Sequence, residues 1–213
     1  MDKNKNRVWL FDLDGTLIDS VGLIMDSFTH SMMKHRGEAL SPEIFRNTIG
    51  RPLAEQFSLY SKDEAEIKNL IETYSEYYRA NRAQSTLFSG VRELLETLAE
   101  RKAPMAIVTS KSHIGAVNST TALSIDHYFD IMIGSDDVQN GKPHPEPVLK
   151  ALGHFQADPE VAVFIGDSPH DIRSGKQAHV KTIGVTWGPY SRQSLQDSGA
   201  DVIVDEVAEL LNT

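Results

Sequence analysis

Val8-Trp9-Leu10-Phe11-Asp12-Leu13-Asp14-Gly15-Thr16 is the stretch from which the rest of the chain is read. The apolar run at its start is short, as a buried strand of a parallel sheet is. Gly15 lets the chain turn sharply out of that sheet. Open α/β sheets bind ligands beyond the carboxyl ends of their strands, which is where Asp12 and Asp14 fall. Residues i and i+2 of an extended segment point the same way, so both carboxylates can address one reacting atom. Held that close they repel, and they need a cation, or one must hold a proton. One aspartate as nucleophile and the other as proton donor meets both demands. An acidic turn that merely ends a strand is the plainer alternative.

The chain has 213 residues, enough for one substantial core, or one core and a small insert. Its hydrophobic and charged fractions, 40% and 24%, are those of an ordinary globular protein. A net charge of −9 argues against nucleic acid or an anionic membrane as partner. An anionic ligand would then need a metal or local cations at its site. With no cysteine there is no disulfide framework, thiolate nucleophile or thiolate metal site. No window reads as a membrane span, and the polar start, Met1 to Arg7, precedes no apolar signal region. A cytoplasmic protein, monomeric or weakly dimeric, is expected.

After Thr16 the pattern turns helical. Asp19 or Ser20 can cap a helix carrying Val21, Ile24, Met25, Phe28 and Met32, with Gly37 as its stop. Ser41-Pro42 opens a short helical piece with Ile44 and Phe45, broken at Gly50-Arg51-Pro52. A longer helix, capped by Ser61 or Asp63, lines Ile67, Leu70, Ile71, Tyr74, Tyr77 and Tyr78 along one face. Residues 16–87 therefore read as an all-helical insert after the first strand. The three tyrosines read as its packing.

From Phe88 helix and strand alternate. Ser89 can cap a helix with Val91, Leu94, Leu95 and Leu98. Met105 to Val108 is a strand ending at Thr109-Ser110, and a helix spans about His113 to Leu123. Ile131 to Ile133 ends at Gly134-Ser135-Asp136-Asp137. Lys142-Pro143-His144-Pro145 introduces a helix with Val148, Leu149 and Leu152. Val161 to Ile165 runs into Gly166-Asp167-Ser168-Pro169-His170-Asp171, and weaker strands follow at Thr182 to Val185 and Val202 to Val204. This rhythm predicts an α/β fold, a doubly wound, mostly parallel, Rossmann-like sheet, with residues 1–15 and 88–213 as the core and 16–87 as a small helical domain.

Three more polar groups fall where strands end or helices begin. Thr109-Ser110 offers hydroxyls and turn N–H groups to the oxygens of an anion. Lys142 offers a compact positive charge. Asp167 and Asp171 can place carboxylate oxygens near a hard cation. Singly, each has a dull reading: a helix cap for Thr109 or Asp167, a solvated lysine for Lys142. Jointly they supply a nucleophile, an acid, an anion cradle, a counter-charge and a magnesium site at one sheet edge.

The run DLDGT at 12–16, the TS at 109–110, the KPHP lysine at 142 and GDSPHD at 166–171 resemble the four signature motifs of the haloacid dehalogenase-like hydrolases. The order matches, as does a helical insert after the first motif, and the resemblance covers nearly the whole chain. It implies that Asp12 attacks phosphorus to form an aspartyl-phosphate, while Asp14 protonates the leaving oxygen and later activates water. It places Asp12, Leu13, Asp14, Thr109, Ser110 and Lys142 around the phosphate. Mg²⁺ would be held by Asp12, the main-chain carbonyl of Asp14 and Asp167, with Asp171 reaching it through water. The insert would be a cap, hinged near Gly15-Thr16 and Phe88-Ser89-Gly90, with Arg51 as its contact to substrate. His113 and His170 stand outside the family's catalytic positions. Dehalogenating members lack the second aspartate, so the resemblance favours a phosphatase of the phosphoglycolate phosphatase-like branch, acting on a small phosphorylated metabolite. A phosphomutase, a pyrophosphatase, and a phospho-receiver or phosphate-binding regulatory protein are the rival readings.

Overall fold

The computed structural model describes residues 7–39, 41 and 49–213. Strand β1 (Val8–Phe11) leads through the aspartate turn into β2 (Ile18–Asp19), then α1 (Val21–Arg36), α2 (Leu53–Ser58), α3 (Glu64–Asn81) and β3 (Thr86–Leu87). The alternating half follows as α4 (Val91–Glu100), β4 (Met105–Val108), α5 (His113–Ala122), β5 (Ile131–Ile133) and α6 (Glu146–Phe155). It closes with β6 (Ala162–Gly166), α7 (Pro169–Gln177), β7 (Lys181–Val185), α8 (Arg192–Asp197) and β8 (Val202–Val204).

Six strands form one parallel sheet in the order β5-β4-β1-β6-β7-β8. The chain winds outward from β1 to one side, then crosses back to continue on the other. That reversal opens a crevice at the carboxyl ends of β1, β4 and β6. Alternate residues of β1 serve opposite layers. Trp9 and Phe11 pack with Leu94, Leu95 and Leu98 of α4, while Val8 and Leu10 pack with Val148, Ala151 and Leu152 of α6. Both faces are thus covered, as the apolar strands require.

The segment between β1 and α4 has its own apolar cluster, built on Phe28, Met32, Phe57 and Leu70. The rings of Phe28 and Phe57 stack at 4.3 Å. α1 ends at Gly37, whose left-handed φ of 68° closes the helix, and Asp63 caps α3 by accepting from the Ala65 N–H. The predicted piece at Pro42, Ile44 and Phe45 lies outside the described residues.

Several local expectations are corrected. Residues 16–87 are not wholly helical, because β2 and β3 pair antiparallel, Ile18 with Leu87 and Asp19 with Thr86. Backbone groups where the chain leaves and re-enters the sheet layer satisfy one another there. Pro52 begins helix α2 rather than only breaking one, since its fixed φ suits a helix start. Gly90, not Ser89, occupies the N-cap of α4. Leu149 faces solvent, and Ala151 takes the buried place on α6. Val161 lies in the turn before β6 and is exposed. Tyr74 and Tyr78 pack on the helical cluster, but Tyr77 stacks on His30.

Candidate active site

The turn after β1 is shaped around Asp167. Gly15 has φ +88°, and a Cβ there would meet the Asp167 carboxylate oxygen at 2.8 Å. Thr16 Oγ1 donates to Asp167 Oδ1 at 2.8 Å, and the Trp187 indole holds the Thr16 carbonyl at 2.9 Å. Gly188 presses from the other side, where a Cβ would lie 2.3 Å from that of Asp167.

Residues remote in sequence converge beside Asp12. Lys142 Nζ donates to Asp12 Oδ1 at 2.7 Å, to Asp171 Oδ1 at 2.5 Å and to the Val108 carbonyl at 3.2 Å. Asp12, Lys142, Asp167 and Asp171 are 7%, 6%, 3% and 1% exposed, so these charges interact with little screening. Three carboxylates face one ammonium. Burial pushes Asp12 up to about 7, against the pull of Lys142 and with the like charge of Asp171. Burial also drives Asp167 well above the usual carboxylate range, helped by Asp12 and Asp171. Burial opposes the charge on Lys142, but Asp12 and Asp171 outweigh it and raise its pKa.

Such a cluster is short of positive charge. One oxygen each of Asp12, Asp167 and Asp171 lies within 4.8 Å of the others, and the all-oxygen donor set fits a hard divalent cation. Asp171 is the most engaged of the three. Its Oδ1 accepts from Lys142 and its Oδ2 from the N–H and hydroxyl of Ser168, completing a capping box on α7. That suits support of the site rather than direct ligation. Asp14 contributes no side chain to the cluster: its Oδ1 accepts from Ser20 Oγ at 2.6 Å and its Oδ2 from Lys111 Nζ at 2.7 Å.

A cavity of about 540 Å³ opens over this cluster, between the sheet edge and α3. Asp12, Asp14, Thr109, Ser110, Lys142 and Asp167 all reach it. Thr109 is fixed by its backbone N–H to the Ile133 carbonyl, and its hydroxyl accepts from the Lys111 N–H. The Ser110 hydroxyl donates to the Gly50 carbonyl at 2.6 Å instead of standing free. Leu13 buries its side chain completely, while its backbone N–H faces the Asp12 carboxylate. Arg51 lines the cavity from the helical side, and its Nε is buried with no hydrogen-bond partner among the described residues.

The sequence offers Ser20 only as a helix cap and gives no role to Lys111, Gly188 or Tyr190. Lys111 directly follows Thr109-Ser110, which was the one available signal for it. Its ammonium lies 4.5 Å over the Tyr78 ring as well as on Asp14. Of the two histidines, His113 turns to Asp137 at 2.7 Å on the exposed side. His170 lies against Gly50, and burial lowers its pKa. No helix among the described residues is long and apolar enough to cross a membrane.

Known proteins share both sequence and shape with this chain. A pyrophosphatase PpaX from Anoxybacillus flavithermus is 35% identical over 204 residues, covering 95% of this chain and 94% of its own. A haloacid dehalogenase-like family hydrolase from Streptococcus pneumoniae superposes with a TM-score of 0.85 at 28% identity, over 98% of both chains. The crystal structure of a predicted phosphoglycolate phosphatase from Haemophilus somnus gives a TM-score of 0.88 at 28% identity, over 98% of this chain and 97% of that one. The sequence profile of the haloacid dehalogenase-like hydrolases matches residues 9–185. The chain belongs to the haloacid dehalogenase-like hydrolase family.

Proposed function

We propose that this protein is a Mg²⁺-dependent phosphatase that releases phosphate from a small phosphorylated molecule through an aspartyl-phosphate on Asp12. The observation that carries this reading is the buried group of Asp12, Asp167 and Asp171 around Lys142, three carboxylates against one ammonium. Asp12 and Asp167, with the main-chain carbonyl of Asp14, would hold the ion. When bound, Mg²⁺ offsets the repulsion between an anionic nucleophile and an anionic phosphoryl group.

The chain's own residues do the rest. Lys142 fixes the Asp12 carboxylate, and the backbone N–H groups after β1 and β4, with Thr109, cradle the phosphoryl oxygens. Phosphoryl transfer makes little covalent demand, so such positioning and charge complementarity supply most of the catalysis. Asp12 then carries the phosphoryl group. Asp14, once freed from Ser20 and Lys111 and protonated from solvent, gives that proton to the leaving oxygen as its bond to phosphorus breaks, and the resulting carboxylate takes one from the attacking water. Residues 16–87 serve as the cap that excludes water.

Pyrophosphate is the first substrate to try. The curated relative is named a pyrophosphatase, and Arg51, Arg79, Arg82 and Lys111 reach the cavity where a charged leaving group would sit. The test is Mg²⁺-dependent phosphate release from p-nitrophenyl phosphate and pyrophosphate, expected to vanish in Asp12→Asn. Undiminished turnover in that variant would remove Asp12 as nucleophile.

A further inference from the structure

The carbonyls of Ile49, Gly50 and Arg51 are consecutive, and each is taken by a different side chain. Tyr190 Oη donates to Ile49 at 2.9 Å, Ser110 Oγ to Gly50 at 2.6 Å and Gln56 Nε2 to Arg51 at 2.9 Å. Two of the three donors come from the sheet layer: Ser110 follows β4, and Tyr190 lies in the loop after β7. The third comes from α2, beside the turn itself. Behind Gly50, the Ser168 and His170 side chains stand at van der Waals distance, 3.5 Å from where a Cβ would project.

A backbone held at three successive carbonyls has little freedom to rotate, so the side chain it carries is aimed. That side chain is Arg51. Its buried Nε has no partner among the described residues, and neither has Oε1 of the neighbouring Gln56, although both residues line the cavity. Buried polar atoms left unpaired cost about 1–3 kcal/mol, and a guanidinium facing a cavity in that state is placed to receive an anion.

We propose that Tyr190 is a positioning residue that holds Arg51 over the cavity and thereby makes the site select substrates whose leaving group carries its own negative charge. The inference rests on the phosphatase reading and extends it to specificity. Tyr190 suits the task because its ring packs into the apolar cluster of α1 to α3 while its hydroxyl reaches the turn. It therefore joins sheet layer and helical segment by an apolar and a polar contact at once. Burial holds its phenol up at about 12, so it remains a hydrogen-bond donor at working pH.

The experiment compares pyrophosphate, with its charged leaving group, against p-nitrophenyl phosphate, whose aryl group is uncharged. Tyr190→Phe removes one hydroxyl and keeps the ring in its apolar site. The expected result is a KM for pyrophosphate raised about fivefold, the loss of one hydrogen bond, with kcat within twofold. Turnover of p-nitrophenyl phosphate should stay as in the wild type. In an Arg51→Met background, Tyr190→Phe should have no further effect on pyrophosphate, because the hydroxyl acts through the guanidinium. Equal losses on both substrates, or a full effect that persists without Arg51, would overturn the proposal. Wild-type protein that hydrolyses neither substrate would overturn the phosphatase reading instead. The role of Tyr190 is then judged by calorimetric affinity for pyrophosphate relative to inorganic phosphate in wild type and Tyr190→Phe, with an unchanged ratio counting against it.

Discussion

Asp14 and Lys111, 97 positions apart in the chain, form an ion pair of 2.7 Å in which the two side chains are only 16% and 15% exposed. Ser20 holds the other oxygen of the carboxylate, and Tyr78 of α3 lies beneath the ammonium. Burial opposes the charge on Lys111, yet Asp14 more than restores it and its pKa is raised. The pair thus fastens the second aspartate of the β1 turn to the loop after β4, and Tyr78 joins that lysine to α3.

Breaking this pair should therefore be felt twice. Lys111→Met leaves Asp14 without its counter-charge, which for a mostly buried pair costs roughly 2–4 kcal/mol. Urea unfolding reads the stability, and phosphate release reads the activity. A variant as stable and as active as the wild type would remove Lys111 from any part in holding Asp14.

Lys142 is a more demanding position. It serves Asp12, Asp171 and the Val108 carbonyl together, so Lys142→Met strands two buried carboxylates. The expected loss in metal-free protein is about 3–5 kcal/mol. Activity should fall by at least about 100-fold, because the charge that complements the phosphoryl group goes with it. Differential scanning calorimetry and steady-state kinetics check the two halves.

The acidic cluster makes a pH prediction. In the metal-free fold Asp12 is raised from 3.8 to about 7, first by burial. An acid whose folded pKa exceeds its unfolded value binds its proton more tightly in the fold. Its contribution to stability is complete below about pH 4 and is lost as pH rises towards 7. The thermal midpoint of metal-free protein should fall across that window. Mg²⁺ competes with those protons, so the stabilisation it gives should grow from about pH 5 to about pH 8. Asp12→Asn should remove part of that growth and leave the share carried by Asp167, which burial also raises, and a metal effect independent of pH would contradict the assignment.

Gly188→Ala tests the shape of the site without changing its charge. The added Cβ would lie 2.3 Å from that of Asp167, so the carboxylate must move. Apparent Mg²⁺ affinity should weaken about 10-fold or more, as when ligand orientation is disturbed, while far-ultraviolet circular dichroism stays unchanged. Activity measured across a Mg²⁺ titration decides it. An unaltered midpoint would show that Asp167 is not the residue that senses the ion.

Much of this was legible in the sequence, and the misses share a physical cause. The six strands of the parallel sheet were readable because runs such as Val8–Phe11 and Val163–Ile165 must be apolar to lie buried in it. The short ribbon of β2 and β3 was not, because a two-residue strand carries no periodicity. Helix α2 was missed for a related reason: at six residues it is too short to show a repeat, and Pro52 reads as a stop as readily as a start. Leu149 and Ala151 exchanged places because helical spacing defines a face but not which part of it the sheet covers.

The sequence by itself determined the layered architecture and the identity of the polar groups at the strand ends, since hydrophobic period and chain direction are local properties. Only the tertiary structure decided what those groups bond to. Ser110 reaches a carbonyl 60 positions away, Tyr190 one 141 away, and Lys111 turns back to Asp14. A hydrogen bond depends on where two chain segments meet in space, and nothing in the residues flanking either partner records that meeting.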